Sequence, residues 1–297
     1  VVITDVSPIL AVTTFVINKR RFHTNNCLFD FYEKPRGGYP LIYDEPPVTQ
    51  NLSFLEKLKL GYHEFKKECK LFGKEVRDKL HLHPTLVIPN EEEIVLKFDG
   101  TVESLKKWVV TCDSDYKEGF STAKLELSPF GTGVFHGTLN TTVPKDGKTK
   151  RAGFCNITTI PKRKSFKRKD YYNWHRYSHL TLRVRGDGRC YMINLLQKGY
   201  FDITWFHTYS YLMYTRGGPY WQDIKIPFSK FVFQEKGTIQ DRQYEMPDSF
   251  ITNIGITLAD KKPGPFRLEI DHIGVYWNPL NFESCAYELN DMSKPTE

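Results

Sequence analysis

No stretch of this chain reaches the eighteen or more apolar residues of a membrane-spanning helix; the best run, 9–17, is short and is broken by Thr13 and Thr14. No spanning helix is therefore expected. The six cysteines, Cys27, Cys69, Cys112, Cys155, Cys190 and Cys285, include no Cys-x-x-Cys pair, and 297 residues need no disulfide stapling, which predicts a reducing compartment. A nucleophile elbow, a Walker loop and the kinase signature set are all missing, and no serine stands in a local pattern with His and Asp. Neither a catalytic set nor a cofactor site is predicted. Charge of one sign is in modest excess, 42 Lys and Arg against 35 Asp and Glu for a net charge of +7, so nucleic acid is not an expected partner.

Aromatic residues are what the chain has in quantity, 14% of the total, enough for a large core. The first 25 residues carry Lys19, Arg20, Arg21 and His23 against the lone Asp5, the acid-poor character of a targeting remnant over 1–30. Residues 31–50 hold Pro35, Gly37, Gly38, Pro40, Pro46 and Pro47, which exclude a helix and predict an extended arm. Over 51–82 the pattern turns helical. Asn51 or Ser53 can cap a helix whose apolar residues Leu55, Leu58, Tyr62, Phe65, Cys69, Phe72 and Val76 fall at alternating steps of three and four. Gly61 and Gly73 weaken this helix alone, so it must pack on something: its own domain, or a partner.

From 94 to 288 the texture is strand-like, with a tail at 289–297. Eleven short strands are predicted, at 95–98, 108–111, 123–127, 134–139, 153–158, 180–184, 191–195, 209–214, 221–226, 253–258 and 266–270. Many short strands with turn signals between them predict a mainly β chain, a jelly-roll β-sandwich with an N-terminal amphipathic helix. Leu180, Leu182 and Val184 alternate with Thr181, Arg183 and Arg185, so one sheet keeps a polar, cationic face. The run YSYLMYTRGGPYWQDIKIPFSKFVF at 209–233 reads as a buried hairpin around Gly217, Gly218 and Pro219. The Arg185-Gly186-Asp187-Gly188-Arg189 segment reads as a hairpin turn rather than a phosphate loop, because strand and not helix follows it.

Metal sites find little support. His175 and His179 share a strand face but would stand about 13 Å apart by strand rise; His81 and His83 lack a third ligand; Asp113, Asp115 and Glu118 lack the calcium-loop spacing. The run KRKSFKRK places Lys162, Arg163, Lys164, Lys167, Arg168 and Lys169 together. It reads as a solvated loop, or as a patch for an anionic lipid or an acidic partner.

The pieces FDG with SLKKWVVTCDSD, RAGFCNI, YSHLTLRVRGDGR, YSYLMYTRGGPYWQDIKIPFSKF and IGITLADKKPGPFRLEIDHIGV together resemble the complex I intermediate-associated protein family, the thirty-kilodalton class of mitochondrial assembly factors, over 97–288. The resemblance implies a jelly roll like galactose-binding domains and carbohydrate-binding modules. It also implies a noncatalytic role in the mitochondrial matrix, peripheral to the inner membrane, holding membrane-arm intermediates of complex I. The implied partners are complex I membrane-arm subunits and other assembly factors, including an acyl-CoA-dehydrogenase-like protein. Many relatives carry a D-x-x-x-G-G-x-S stretch after the strand at Trp108; here DYKEGFS has Phe120 for one glycine, a departure that counts against a ligand role for that loop. Partner contacts are expected from the helix seam and from Arg216, Tyr220 and Trp221, residue types that dominate interface energetics. The competing reading is a sugar-binding module, with Trp174, Trp205 and Trp221 as stacking platforms and glycosylation-like triplets at Asn51, Asn140 and Asn156.

Overall fold

A computed structural model of the chain describes residues 53–80, 87–147, 149, 151–168, 170–197, 207–235, 237–283 and 285–287. The targeting remnant, the proline-rich arm, Asn51, His81, His83, Lys169, Trp205 and the tail lie outside the described residues, as does the side chain of Lys167.

Helix α1 (Phe54–Leu80) precedes strand β1 (Glu92–Lys97), the short α2 (Val102–Leu105), β2 (Trp108–Cys112), β3 (Thr122–Leu127), β4 (Gly133–Leu139) and β5 (Cys155–Thr159). There follow β6 (His179–Arg185), β7 (Cys190–Gln197), β8 (His207–Tyr214), β9 (Gln222–Pro227), β10 (Val232–Glu235), β11 (Thr238–Ile239), β12 (Ile251–Leu258) and β13 (Gly264–Tyr276). All eleven expected strands form, and β10 and β11 are additional. These last two are four and two residues long, too short to show a period.

Two antiparallel sheets result. One has the order β3-β4-β13-β6-β9, with β1 also on β13; the other runs β11-β10-β8-β7-β12-β5-β2. Strand β13 is long enough to pair β4 through Gly264 to Ile270 and then β1 through His272 to Tyr276 on the same side. Alternation along each strand sends one row inward: Leu180, Leu182 and Val184 from β6 face Ile193, Leu195, Ile254 and Ile256 from the other sheet in a single buried core. Phe135 and Phe266 meet edge-on there with centroids 5.0 Å apart. Each such side chain removed from water contributes roughly 1.5–3 kcal/mol, which is why the sandwich forms.

Neither expected hairpin forms. Strands β6 and β9 pair with each other in the first sheet, β7 and β8 in the second, so the links after β6 and after β8 both cross between sheets. A period-two pattern marks a strand with one buried face, and strands of either sheet carry it; the pattern cannot distinguish a hairpin from a crossing. The two crossings lie side by side. Thr215 N (3.1 Å) and Oγ1 (2.8 Å) both donate to Arg189 O, while Gly188 N donates to Thr215 Oγ1. A Cβ on Gly186 would stand 2.2 Å from that of Thr215, so no side chain fits there. Asp187 fastens the first crossing by accepting from Arg189 N, Arg267 N and Tyr191 Oη.

Candidate functional site

Ser53 opens α1, its backbone N–H donating to Glu56 Oε2 at 2.8 Å, one half of a capping box. Within the helix, Phe65, Glu68, Phe72 and Glu75 recur at steps of three and four and so share one face. That face meets the basic loop. Glu75 Oε1 accepts from Ser165 N (2.5 Å) and Glu68 Oε2 from Phe166 N (2.7 Å), while the Phe166 ring sits 6.1 Å from Phe65 and 6.0 Å from Phe72. Two backbone donors, two carboxylates and three rings thus make one dock. Phe166 is held at φ +56°, a left-handed conformation disfavoured for an aromatic residue and kept here by those contacts.

The described cations of this run are engaged within the molecule. Arg163 pairs with Glu68 at 3.4 Å, Arg168 with Glu75, and Lys164 with Asp170 at 2.6 Å, while Lys162 lies 4.0 Å over the Tyr172 ring. Burial pulls the Lys162 pKa below its ordinary value. The Ser165 backbone N–H, with the Ser165 hydroxyl and Arg168 behind it, lowers that of Glu75. A free, solvated loop is thus not what forms: 163–168 is the socket for α1. Charge-assisted bonds to backbone N–H groups are the stronger kind, which explains how one loop holds a 27-residue helix.

The rest of the apolar seam stays in solvent. Leu55 is 68%, Leu58 59% and Tyr62 69% exposed, and Cys69 and Val76 are exposed beyond the dock. Phe65 and Phe72 meet Phe166 yet remain exposed. At the second crossing, Arg216 and Tyr220 are exposed, the Arg216 N–H donating to Gln222 Oε1 (2.7 Å). Trp221 is half-buried, with the Arg185 and Arg183 guanidiniums 5.2 and 5.8 Å from its ring centre. Helix seam and crossing are therefore two separate patches on different elements.

Of the sugar-stacking candidates, Trp174 is 3% exposed and stacked on Phe228 in the core, so it offers no platform. The Trp221 ring already carries guanidinium. The cationic face expected on β6 is ion-paired: Arg183 reaches Asp223 and Asp271, and Arg185 holds the buried Glu269, which Thr132 Oγ1 also bonds at 2.5 Å. His175 pairs with Asp248 at 3.1 Å and His179 Nδ1 with Ser178 Oγ at 2.7 Å; among the described residues no group of three His, Cys, Asp or Glu side chains could hold a metal ion. A cavity of about 580 Å³ opens beside β8 and β10 over His207, Tyr209, Phe233 and Tyr244.

Sequence reasoning missed Glu68 and Glu75 as anchors, although their seven-residue spacing repeats that of Phe65 and Phe72 and faces a basic run. It weighed Asp113 only as part of a calcium cluster, not as the structural node it is. This buried carboxylate accepts from Ser121 N (2.8 Å), Ser121 Oγ (3.0 Å) and Gly153 N (2.8 Å), tying three segments into one node. A Cβ on Gly119 would stand 2.0 Å from its oxygen, so that glycine is the one the loop needs, and Phe120 beside it points outward. Exposed Phe130, Leu280 and Phe282 had no signal, because a large apolar residue outside a periodic run looks like a core one in sequence.

Two antiparallel sheets around one core, with a helix docked by a single loop, define a β-sandwich carrying a helical extension. The chain belongs to the Complex I intermediate-associated protein 30 (CIA30) family, which matches residues 96–270. It is 44% identical over 280 residues to "Complex I intermediate-associated protein 30, mitochondrial" of Drosophila melanogaster, covering 93% of this chain and 92% of that one. Identity to the Mus musculus protein of the same name is 42% over 210 residues, 70% of this chain and 63% of the relative; to the Caenorhabditis elegans "Probable complex I intermediate-associated protein 30, mitochondrial" it is 48% over 200 residues, 67% and 58%. Among solved structures, the family 11 carbohydrate-binding module of cellulase Lic26A-Cel5E of Clostridium thermocellum is similar at a TM-score of 0.43 and 15% identity, over 64% of this chain and 96% of that one.

Proposed function

We propose that this chain is a noncatalytic assembly factor for mitochondrial respiratory complex I that binds membrane-arm intermediates on the matrix side. The names of its relatives support the complex and the organelle. The observation that carries the binding role is the α1 seam: Leu55, Leu58 and Tyr62 stay exposed although one loop fixes the helix. A long apolar stripe held out from its own domain is what a partner helix or groove takes up. Arg216, Tyr220 and Trp221 form the second contact patch, suited to other assembly factors such as an acyl-CoA-dehydrogenase-like protein. Contact with the inner membrane is peripheral in this reading; no helix among the described residues is long and apolar enough to cross. Because the described cations of the 162–169 run are paired internally, the seam is preferred to that loop as the docking surface.

The test is depletion of the chain in cells, followed by native gels of solubilised mitochondria. Comigration with partial complex I and loss of the mature enzyme are expected, with rescue by the parent chain but not by Leu58→Glu/Tyr62→Glu. Mature complex I at normal level after depletion overturns the assembly role. Full rescue by the double variant, with comigration kept, overturns the seam.

A further inference from the structure

Cys112 ends β2, the edge strand of the seven-stranded sheet, and Cys155 begins its neighbour β5; the two stand directly opposite in register. The next rung, Asp113 N to Phe154 O at 3.2 Å, is hydrogen-bonded, which puts 112 and 155 at the alternate, non-hydrogen-bonded position. Opposed Cα atoms approach there to about 4.5 Å, inside the roughly 4.4–6.8 Å range that a disulfide spans without backbone movement. Both side chains lie in the buried core of the sandwich, and the Cys155 thiol donates to Thr122 O at 3.9 Å. Both thiols are free. The neighbouring Cys155 thiol lowers the Cys112 pKa, against burial and the carboxylates of Asp115 and Asp113; Cys112, with burial, raises that of Cys155.

We propose that Cys112 and Cys155 are a thiol-oxidation site, forming a reversible intrachain disulfide with a peroxide as oxidant. Cys112, having lost its proton, attacks one peroxide oxygen; the O–O bond breaks, hydroxide leaves and takes up that proton as water, and a sulfenic acid remains. The Cys155 sulfur attacks the Cys112 sulfur, the S–O bond breaks as the S–S bond forms, and the leaving hydroxide departs as water with the Cys155 proton. Two thiols and one peroxide become one disulfide and two waters. The path for the oxidant is the edge: within its sheet β2 has β5 alone as a partner, and edge pairs open at lower cost than central ones. The bond pins β2 to β5 one residue before Asp113, where that carboxylate gathers Ser121 and Gly153.

The folded full-length chain is exposed to graded hydrogen peroxide, remaining thiols are alkylated, and the unreduced protein is digested for mass spectrometry. Exposed Cys69 reports that the peroxide has acted. The expected result is a linked peptide joining Cys112 to Cys155, lost on reduction with dithiothreitol. In Cys155→Ser the link is absent and Cys112 is instead trapped by dimedone as the sulfenic acid. The site is overturned if Cys69 oxidises fully while Cys112 and Cys155 of the parent chain are both recovered alkylated after denaturation. It is equally overturned if Cys112 links to Cys190 or Cys285 in comparable yield.

Discussion

Around Phe135 the chain closes on every side, its ring 0% exposed and against Phe266, whereas Phe65 of α1 leaves 59% of its surface in solvent and meets one loop ring at 6.1 Å. The sandwich is held by area: rows of aliphatic side chains from two sheets, each too buried to lose without opening the whole. The helix is held by address, two carboxylates matched to two backbone N–H groups and one ring placed between two others. Burial makes the first cooperative and hard to open in part. Local polar contacts make the second separable, so α1 is able to leave its socket while the sheets stay folded.

Changes in the sheets should give the largest effects. Phe135→Ala is expected to cost about 3–5 kcal/mol of global stability, read by denaturant unfolding, with the helix and sandwich signals lost together. Asp113→Ala leaves two buried backbone N–H groups, those of Ser121 and Gly153, without their acceptor and is expected to cost about 2–3 kcal/mol in the same measurement. Phe166→Ala removes the two ring contacts of the dock, each worth about 0.5–1.5 kcal/mol, so hydrogen exchange should accelerate over 54–80 and hold steady in β6, β7 and β12. Equal acceleration in both regions would erase the distinction.

The smallest effect is a titration. Because Glu75 has its pKa lowered in the folded chain from an ordinary 4.5, its contribution to docking is full above that value and is lost as pH falls through the lowered one. Helix protection, corrected for intrinsic exchange, should therefore decline on acidification below about 4.5 while pH hardly moves it from 6 to 8. Glu75→Gln should flatten this dependence, and a profile unchanged in that variant would point to other carboxylates.

Strand positions and the helix were legible because both rest on periodicity within one element. The crossings were not, since Gly186 and Thr215 are placed by each other across 29 positions of sequence, and nothing local records which sheet a strand will join. The same limit hid the dock: Glu68 and Arg163 were each visible as charges, yet their pairing is a tertiary fact. Trp174 and Trp221 looked equivalent as stacking platforms, and only packing separates a ring against Phe228 from one under guanidinium. The apolar positions of the helix were readable, because an amphipathic pattern states how much apolar surface a helix carries; which of them the domain covers was not.

The last two strands carry an implication for how the molecule comes into being. Strand β12 sits between β5 and β7, and β13 joins β4, β6 and β1, so one sheet is two unconnected pieces and the other three until those strands arrive. A chain delivered from its N-terminus, by ribosome or through a translocation pore, presents open edges of β4, β5, β6 and β7 throughout, with no intermediate length at which either sheet can close. Folding must wait for nearly the whole polypeptide, and until then those edges stand open to pairing with other chains.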